Sequence, residues 1–492
     1  MGIEELQNVV LQRQKILGEI FRTKGELSVA AYAGQWTVAA LPPSRDAAAL
    51  LRHIERMYAE LYGTGLAREA VSELAQKPLV STIDHLGIFG HPFFLNSNLV
   101  FSLRPGRRFL TGFATAGVSL NNSSWPACVL LREPGSHNLA RLSLFPDAQK
   151  TRAVLSAAGF VRADAERVIA KARQLSFLDG SRQERLAALL ERLLLAEDIL
   201  AEARFQNQAC KISARLWAEL FPNAPRLLYL PLEELVSRLI AEEIAIRPNH
   251  DLYRLLFTEG GWQAVERHFR GSMGAFSSVH KGSFLFWGMR ENGRRAHLAR
   301  QGNTLTDQGF SVPLTPEAVS RGLAGGWLYP TSLVSFIVLM YYGLTSLGGF
   351  NQVNWLSDFK GKFIALLREQ GGSALADRVR NIPTNNFAES SVAFVSDGRG
   401  RLYKPTAWDI WLDGGSGAYN NFGKLAEIIT VKQSILSELP EIYKIITPAE
   451  ERNPKLTAIS QEEIDNYIGL GAAVQSVPAL NMKNGQGHAR MV

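Results

Sequence analysis

Residues 81–98 (STIDHLGIFGHPFFLNSN) place Asp84, His85 and His91 within eight positions, amid turn-forming glycines and apolar or aromatic side chains. Two imidazoles and a carboxylate are a preferred ligand set for zinc or non-haem iron, and equally a usable acid/base set. The spacing of His85 and His91 fits neither a helix face nor a strand face. If both bind one ion, LGIFG between them must be a loop, which Gly87 and Gly90 permit. The bland alternative is a turn with one buried, hydrogen-bonded histidine and one surface histidine. A carboxylate among Ile83, Leu86, Ile88, Phe89 and Phe93 loses hydration and stays ionised only beside a cation or several donors. The three side chains are therefore expected to converge, with at least two facing one concave pocket.

Three further groups set polar residues in aromatic company. The run TAGVSLNNSSWP delivers Asn121, Asn122 and Ser123 to a loop, where they either line a solvated turn or grip a substrate. His280 precedes Phe284, Phe286 and Trp287, and Asn351-Gln352 lies between Phe350 and Trp355. Amides and imidazoles in apolar surroundings need partners, supplied either by neighbouring backbone or by a ligand. As a substrate-binding set, Asn121, Asn122, Ser123, His280, Trp287, Asn351 and Gln352 would surround Asp84, His85 and His91 acting as metal ligands or proton-transfer groups.

Absent motifs narrow the chemistry. There is no P-loop, no GxGxxG, no HExxH and no ExxH, and the nearest approach to GxSxG ends on Ala418. No nucleotide-cofactor motif is present. The expectation is a metal-dependent enzyme acting on a small polar, amino-acid-like substrate, with iron-dependent oxidation slightly ahead. A zinc- or manganese-dependent hydrolase using the same residues is the alternative. A non-catalytic small-ligand binding protein is the alternative of another class.

Composition bounds the partners. The 492 residues carry a formal charge of +7, but Lys and Arg are scattered, the densest clusters being RPGRR and ENGRR. No nucleic-acid groove is expected from that pattern. Two distant cysteines exclude a disulfide framework and suit a reducing cytoplasm. The start MGIEELQNVVLQRQ reads as charged and amphipathic, unlike a signal peptide. Residues 322–357 contain no charge, yet their most apolar part is too short to span a bilayer, so a buried helix and no membrane contact are expected. Nothing in the sequence bears on oligomeric state.

These residues must be positioned by a mixed, helix-dominant α+β fold. Short apolar runs over 80–145 (among them LVFSL, FLTGFATAGVSL, ACVLL and LARLSLF) predict a buried sheet. Residues 27–40 predict a further short strand segment. Glu291-Asn292-Gly293 predicts an antiparallel hairpin near 284–298. Helical periodicity dominates 1–24, 44–75, 148–221 and much of 315–439. The organisation expected is a mixed domain over 1–150 carrying the Asp84/His85/His91 loop, then a helical region over 151–280. A closely packed helical region with the hairpin follows over 281–480, then a flexible tail over 481–492.

Overall fold

The computed structural model describes residues 2–133, 138–272, 282–396, 402–414, 417–477, 480–484 and 487–491. It is 55% helical with 13% strand, several small sheets being surrounded by helices, which makes the fold helix-dominant α+β. One contiguous apolar core takes in residues from Leu6 to Val477.

The sheet that matters most is parallel and four-stranded. Its spatial order is Thr345–Leu347, Leu79–Ser81, Phe109–Ala114, Arg226–Pro231. All six residues of Phe109–Ala114 are buried, as expected for a parallel strand covered on both faces. In chain order the strands step one way from Leu79–Ser81 and then return, so that Thr345–Leu347 lies on its other flank. The order reverses at that point, where open parallel sheets form a crevice beyond their carboxyl ends.

This sheet differs in composition from the one expected over 80–145, which supplies only two of its strands. The runs at Cys128–Arg132 and Leu139–Ser143 form a separate antiparallel pair. LVFSL is not a strand; it ends the helix Pro92–Ser102, which starts at an N-cap His91 followed by Pro92. Proline at the first helical position and a capping side chain override the strand-like apolar run. Residues 27–40 contain the helix Val29–Gly34, capped by Ser28, whose side chain accepts from the Ala31 N–H. The Glu291-Asn292-Gly293 turn does join antiparallel strands, Phe286–Met289 and Arg295–His297, and Leu328–Pro330 adds a third.

Ser332–Tyr342 is a helix whose residues from Leu333 onward are all buried. Among the described residues no helix is long and apolar enough to cross a membrane.

Candidate active site

The carboxyl ends of three parallel strands lead directly into one cavity of about 470 Å³. Thr82, Ile83 and His85 follow Leu79–Ser81, Thr115 and Val118 follow Phe109–Ala114, and Gly349 to Gln352 follow Thr345–Leu347. His91, Ser123, Ser124, Arg295, Ser332, Glu389 and Glu441 add to its polar lining, and Phe93, Phe94, Phe336, Phe350 and Trp355 form its aromatic walls.

The loop between the two histidines is pinned along its backbone. Leu86 N–H donates to Thr115 O at 2.9 Å, Ile88 N–H to Pro126 O at 2.7 Å and Phe89 N–H to Ser213 Oγ at 3.0 Å. Gly87 and Gly90 serve close approach and not a left-handed turn. A Cβ on Gly87 would meet Pro126 O at 2.4 Å, and one on Gly90 would meet Trp408 Nε1 at 2.8 Å. With its backbone groups satisfied this way, the loop holds its side chains on a fixed frame.

Asp84 does not line the cavity. It is buried, and its Oδ2 accepts from Tyr229 Oη at 2.7 Å and from Asn98 Nδ2 at 3.0 Å. Gly112 makes this possible: it pairs with Tyr229 across the sheet, and a Cβ there would meet the tyrosine ring at 2.5 Å. Burial pushes the Asp84 carboxyl up to about 6, against the pull of its Asn98 and Tyr229 donors.

His85 and His91 do share the cavity, each packing against the Phe94 ring at centroid distances of 5.5 and 5.4 Å. Their tautomers differ. Asn122 Oδ1 accepts from the Ser124 N–H at 3.0 Å, which fixes the amide oxygen toward His85 Nδ1, 2.9 Å away. His85 Nδ1 therefore carries the proton and its Nε2 is a lone-pair acceptor. His91 Nδ1 instead accepts from the Phe93 N–H at 3.4 Å as the helix N-cap, so neutral His91 carries its proton on Nε2. Burial lowers both imidazoles below the ordinary histidine range. His85 is partly restored by Asn122, whereas His91 falls to about 3, lowered further by the positive charges of Lys404 and Arg132 and by the repulsion that would arise if His85 were also protonated. The cavity is thus faced by one imidazole acceptor and one imidazole donor.

Glu389 is the titratable group that sequence reasoning missed. Its Oε2 accepts from the Phe350 N–H at 2.8 Å. Burial pushes the carboxyl up to about 8; Phe350 opposes this, while the negative charges of Glu438 and Asp84 add to it. The segment that carries it is anchored by Asn96, whose Oδ1 accepts from the N–H groups of Val392 and Ala393 at 2.7 and 2.8 Å. No signal in the run NNFAESSVAF marks Glu389, because its partners are distant in sequence.

The expected substrate-binding residues divide. Ser123, Asn351 and Gln352 line the cavity, but Gln352 Nε2 also donates to Thr82 Oγ1 at 2.8 Å, and Asn351 Oδ1 accepts from Gln14 Nε2 at 3.1 Å. Asn122 acts behind His85. Asn121 is turned to Ser119, whose Oγ donates to Asn121 Oδ1 at 2.9 Å. Trp287 lies outside the cavity lining, its ring against Arg295 and His297. His280 lies outside the described residues. Just beyond the Asn122 turn, Trp125 holds a left-handed backbone with φ of 48°, a strained conformation for a bulky residue that marks a turn fixed by its surroundings.

A second cavity, of about 590 Å³, meets the first at His91, Phe93 and Glu441. Lys404 faces it, paired with Glu438 and placed 5.1 Å from the Phe93 ring centroid. Among the described residues no group of three or more His, Cys, Asp or Glu side chains is disposed to hold a metal ion. No protein-family model matches the chain, and no curated protein is significantly similar to it.

Proposed function

We propose that the protein is a cytoplasmic enzyme that performs proton transfer on a small polar substrate bound at the carboxyl ends of the parallel sheet. The observation that carries this reading is the different partner of each Nδ1 at one cavity, an amide oxygen for His85 and a backbone N–H for His91, from which opposite tautomers follow. His85 Nε2 is placed to remove a proton. His91 Nε2–H, neutral at the start of a helix, is placed to donate a hydrogen bond to an oxygen on which negative charge develops. Glu389, with its carboxyl raised to about 8, supplies a second neutral donor at pH 7. Abstraction of a proton beside a carbonyl group is the reaction this set serves best.

A metal-dependent version of this reading needs a third ligand beside the two histidines. Asp84 lies outside the cavity lining with Oδ2 held by Tyr229 and Asn98 and Oδ1 without a partner, so proton transfer is assigned to the two imidazoles and draws on Asp84 neither as a ligand nor as a base.

The test is hydrogen–deuterium exchange at carbon, followed by NMR in D₂O over a panel of small oxo acids and hydroxy ketones. Wild-type protein should catalyse exchange in at least one compound, and His85→Ala and His91→Ala should each lower that rate by about 100-fold or more. Full activity in both variants sinks the proposal. Stoichiometric metal in the purified protein, lost on His85→Ala, would replace it with the metal-dependent reading. Saturable binding without exchange would favour a ligand-binding protein.

A further inference from the structure

We infer that the substrate of this cavity is an anion, a carboxylate or a phosphate on a small apolar or aromatic body, and that Arg295 is the residue that selects it. This rests on the cavity being the substrate site. Arg295 opens the strand Arg295–His297 and lines the same cavity as His85 and His91. Its guanidinium lies 4.5 Å from the centroid of the Trp287 ring, which holds the planar group in one orientation.

Arg295 lines the cavity from a solvent-exposed position, and among the described residues it makes no ion pair and its guanidinium no hydrogen bond; partial desolvation by the surrounding protein lowers its pKa, against the pull of Glu233. The carboxylate that acts on it is Glu233, and Glu233 is occupied elsewhere. Its Oε2 accepts from the Ala116 N–H at 2.8 Å and its Oε1 from the Gly117 N–H at 2.9 Å. The cavity's other ionisable groups do not neutralise Arg295 either. His85 and His91 are neutral, Glu389 is held largely protonated, and Glu441 is solvent-exposed on the side shared with the second cavity.

A guanidinium over an indole ring, with none of its N–H groups bonded to a described residue, has them available to pair with the two oxygens of a carboxylate or phosphate. Phe94, Phe336, Phe350 and Trp355 supply the wall for an apolar body. The same cation would favour the negative charge that develops when His85 takes a proton from the bound molecule.

The experiment is calorimetric titration of the full chain with benzoate, phenyl phosphate and the neutral isostere benzamide. At least one anion should bind saturably and about 10- to 100-fold more tightly than benzamide. Benzoate ahead of phenyl phosphate identifies a carboxylate, and the reverse a phosphate. Arg295→Met should erase the preference, with its thermal midpoint showing that it folds; Arg295→Lys should retain part of it. His85→Ala should keep the preference, so failure of the proton-transfer reading leaves this result readable. The inference is overturned if benzamide binds as well as both anions, if neither anion binds saturably, or if Arg295→Met keeps the preference.

Discussion

Two cavities flank the hairpin that carries Arg295, and they treat charge in opposite ways. The larger, about 770 Å³, is bounded by Arg152, Arg204, Glu234, Arg238, Trp327 and Tyr329 among others. Among its carboxylates, Glu234 is matched: it lies 2.7 Å from Arg204 and 2.8 Å from Arg238, and Arg238 also reaches Glu60 at 2.9 Å. Burial pushes the Glu234 carboxyl up, but Arg204, Arg238 and Gln206 outweigh it and leave the group below the ordinary range. The smaller cavity, at the strand ends, contains Glu389, which accepts from the Phe350 backbone N–H and whose carboxyl rises to about 8. Volume therefore does not mark the reactive site. The proposed proton-transfer site is distinguished instead by Glu389, a carboxyl held away from its ordinary protonation state beside two imidazoles and so able to exchange a proton with a ligand.

The largest effect on stability should come from removing a matched charge. Glu234→Ala leaves Arg204 and Arg238 facing one another without their shared carboxylate, and should cost about 3 kcal/mol in urea unfolding at pH 7. Equal stability of wild type and variant would erase the contrast between the cavities. A smaller effect of the same kind lies within the His85/His91 loop. Asp84→Ala leaves the Tyr229 hydroxyl proton without its acceptor inside the core, while Asn98 Nδ2 keeps Phe94 O and Tyr229 Oη, and should cost about 2 kcal/mol. His85→Ala, at the cavity wall, should cost less than half of that while removing catalysis. If His85→Ala proves the more destabilising of the two, His85 is a structural residue and Asp84 the better candidate for chemistry.

Local and distant partners also differ in how far the sequence reveals them. The loop carrying Asp84, His85 and His91 is legible because residue types and glycine spacing are local, as is the hairpin around Gly293. The role of Asp84 is not legible, because Tyr229 is 145 positions away and reaches it only across the sheet at Gly112. Residues 99–103 resemble a strand because their apolar run is equally compatible with a buried helix, and only the cap at His91 and Pro92 decides between them. The parallel sheet itself cannot be assembled from sequence, since two of its strands are three residues long and pair Leu79 with Thr345, far apart in the chain. The aromatic company of Trp287 suggests a residue that closes the cavity, whereas its ring backs Arg295 from outside the lining.

The most discriminating prediction is a gain in stability, read from its slope with pH, and it concerns Glu389. A carboxyl at about 8 in the folded chain and about 4.3 in the unfolded one binds more protons when folded over the interval between them. Stability contributed by the protonated group is complete below the unfolded value and is lost as pH rises through 8, the opposite of a matched carboxylate such as Glu234. Glu389→Gln keeps the shape and a neutral polar group, so it should match wild type near pH 4. The variant should become progressively more stable than wild type above that, by at most about 1.4 kcal/mol per pH unit. Asp84, raised to about 6, titrates in both proteins, so only its repulsion of an ionised Glu389 enters the difference. Urea midpoints at an unchanged denaturant slope, measured from pH 5 to pH 9, read this directly. A difference that stays flat, or a glutamine variant that loses ground as pH rises, would mean that Glu389 is ionised and matched in the folded state. The smaller cavity would then be electrostatically like the larger one, and Glu389 could no longer serve as a proton donor beside His91.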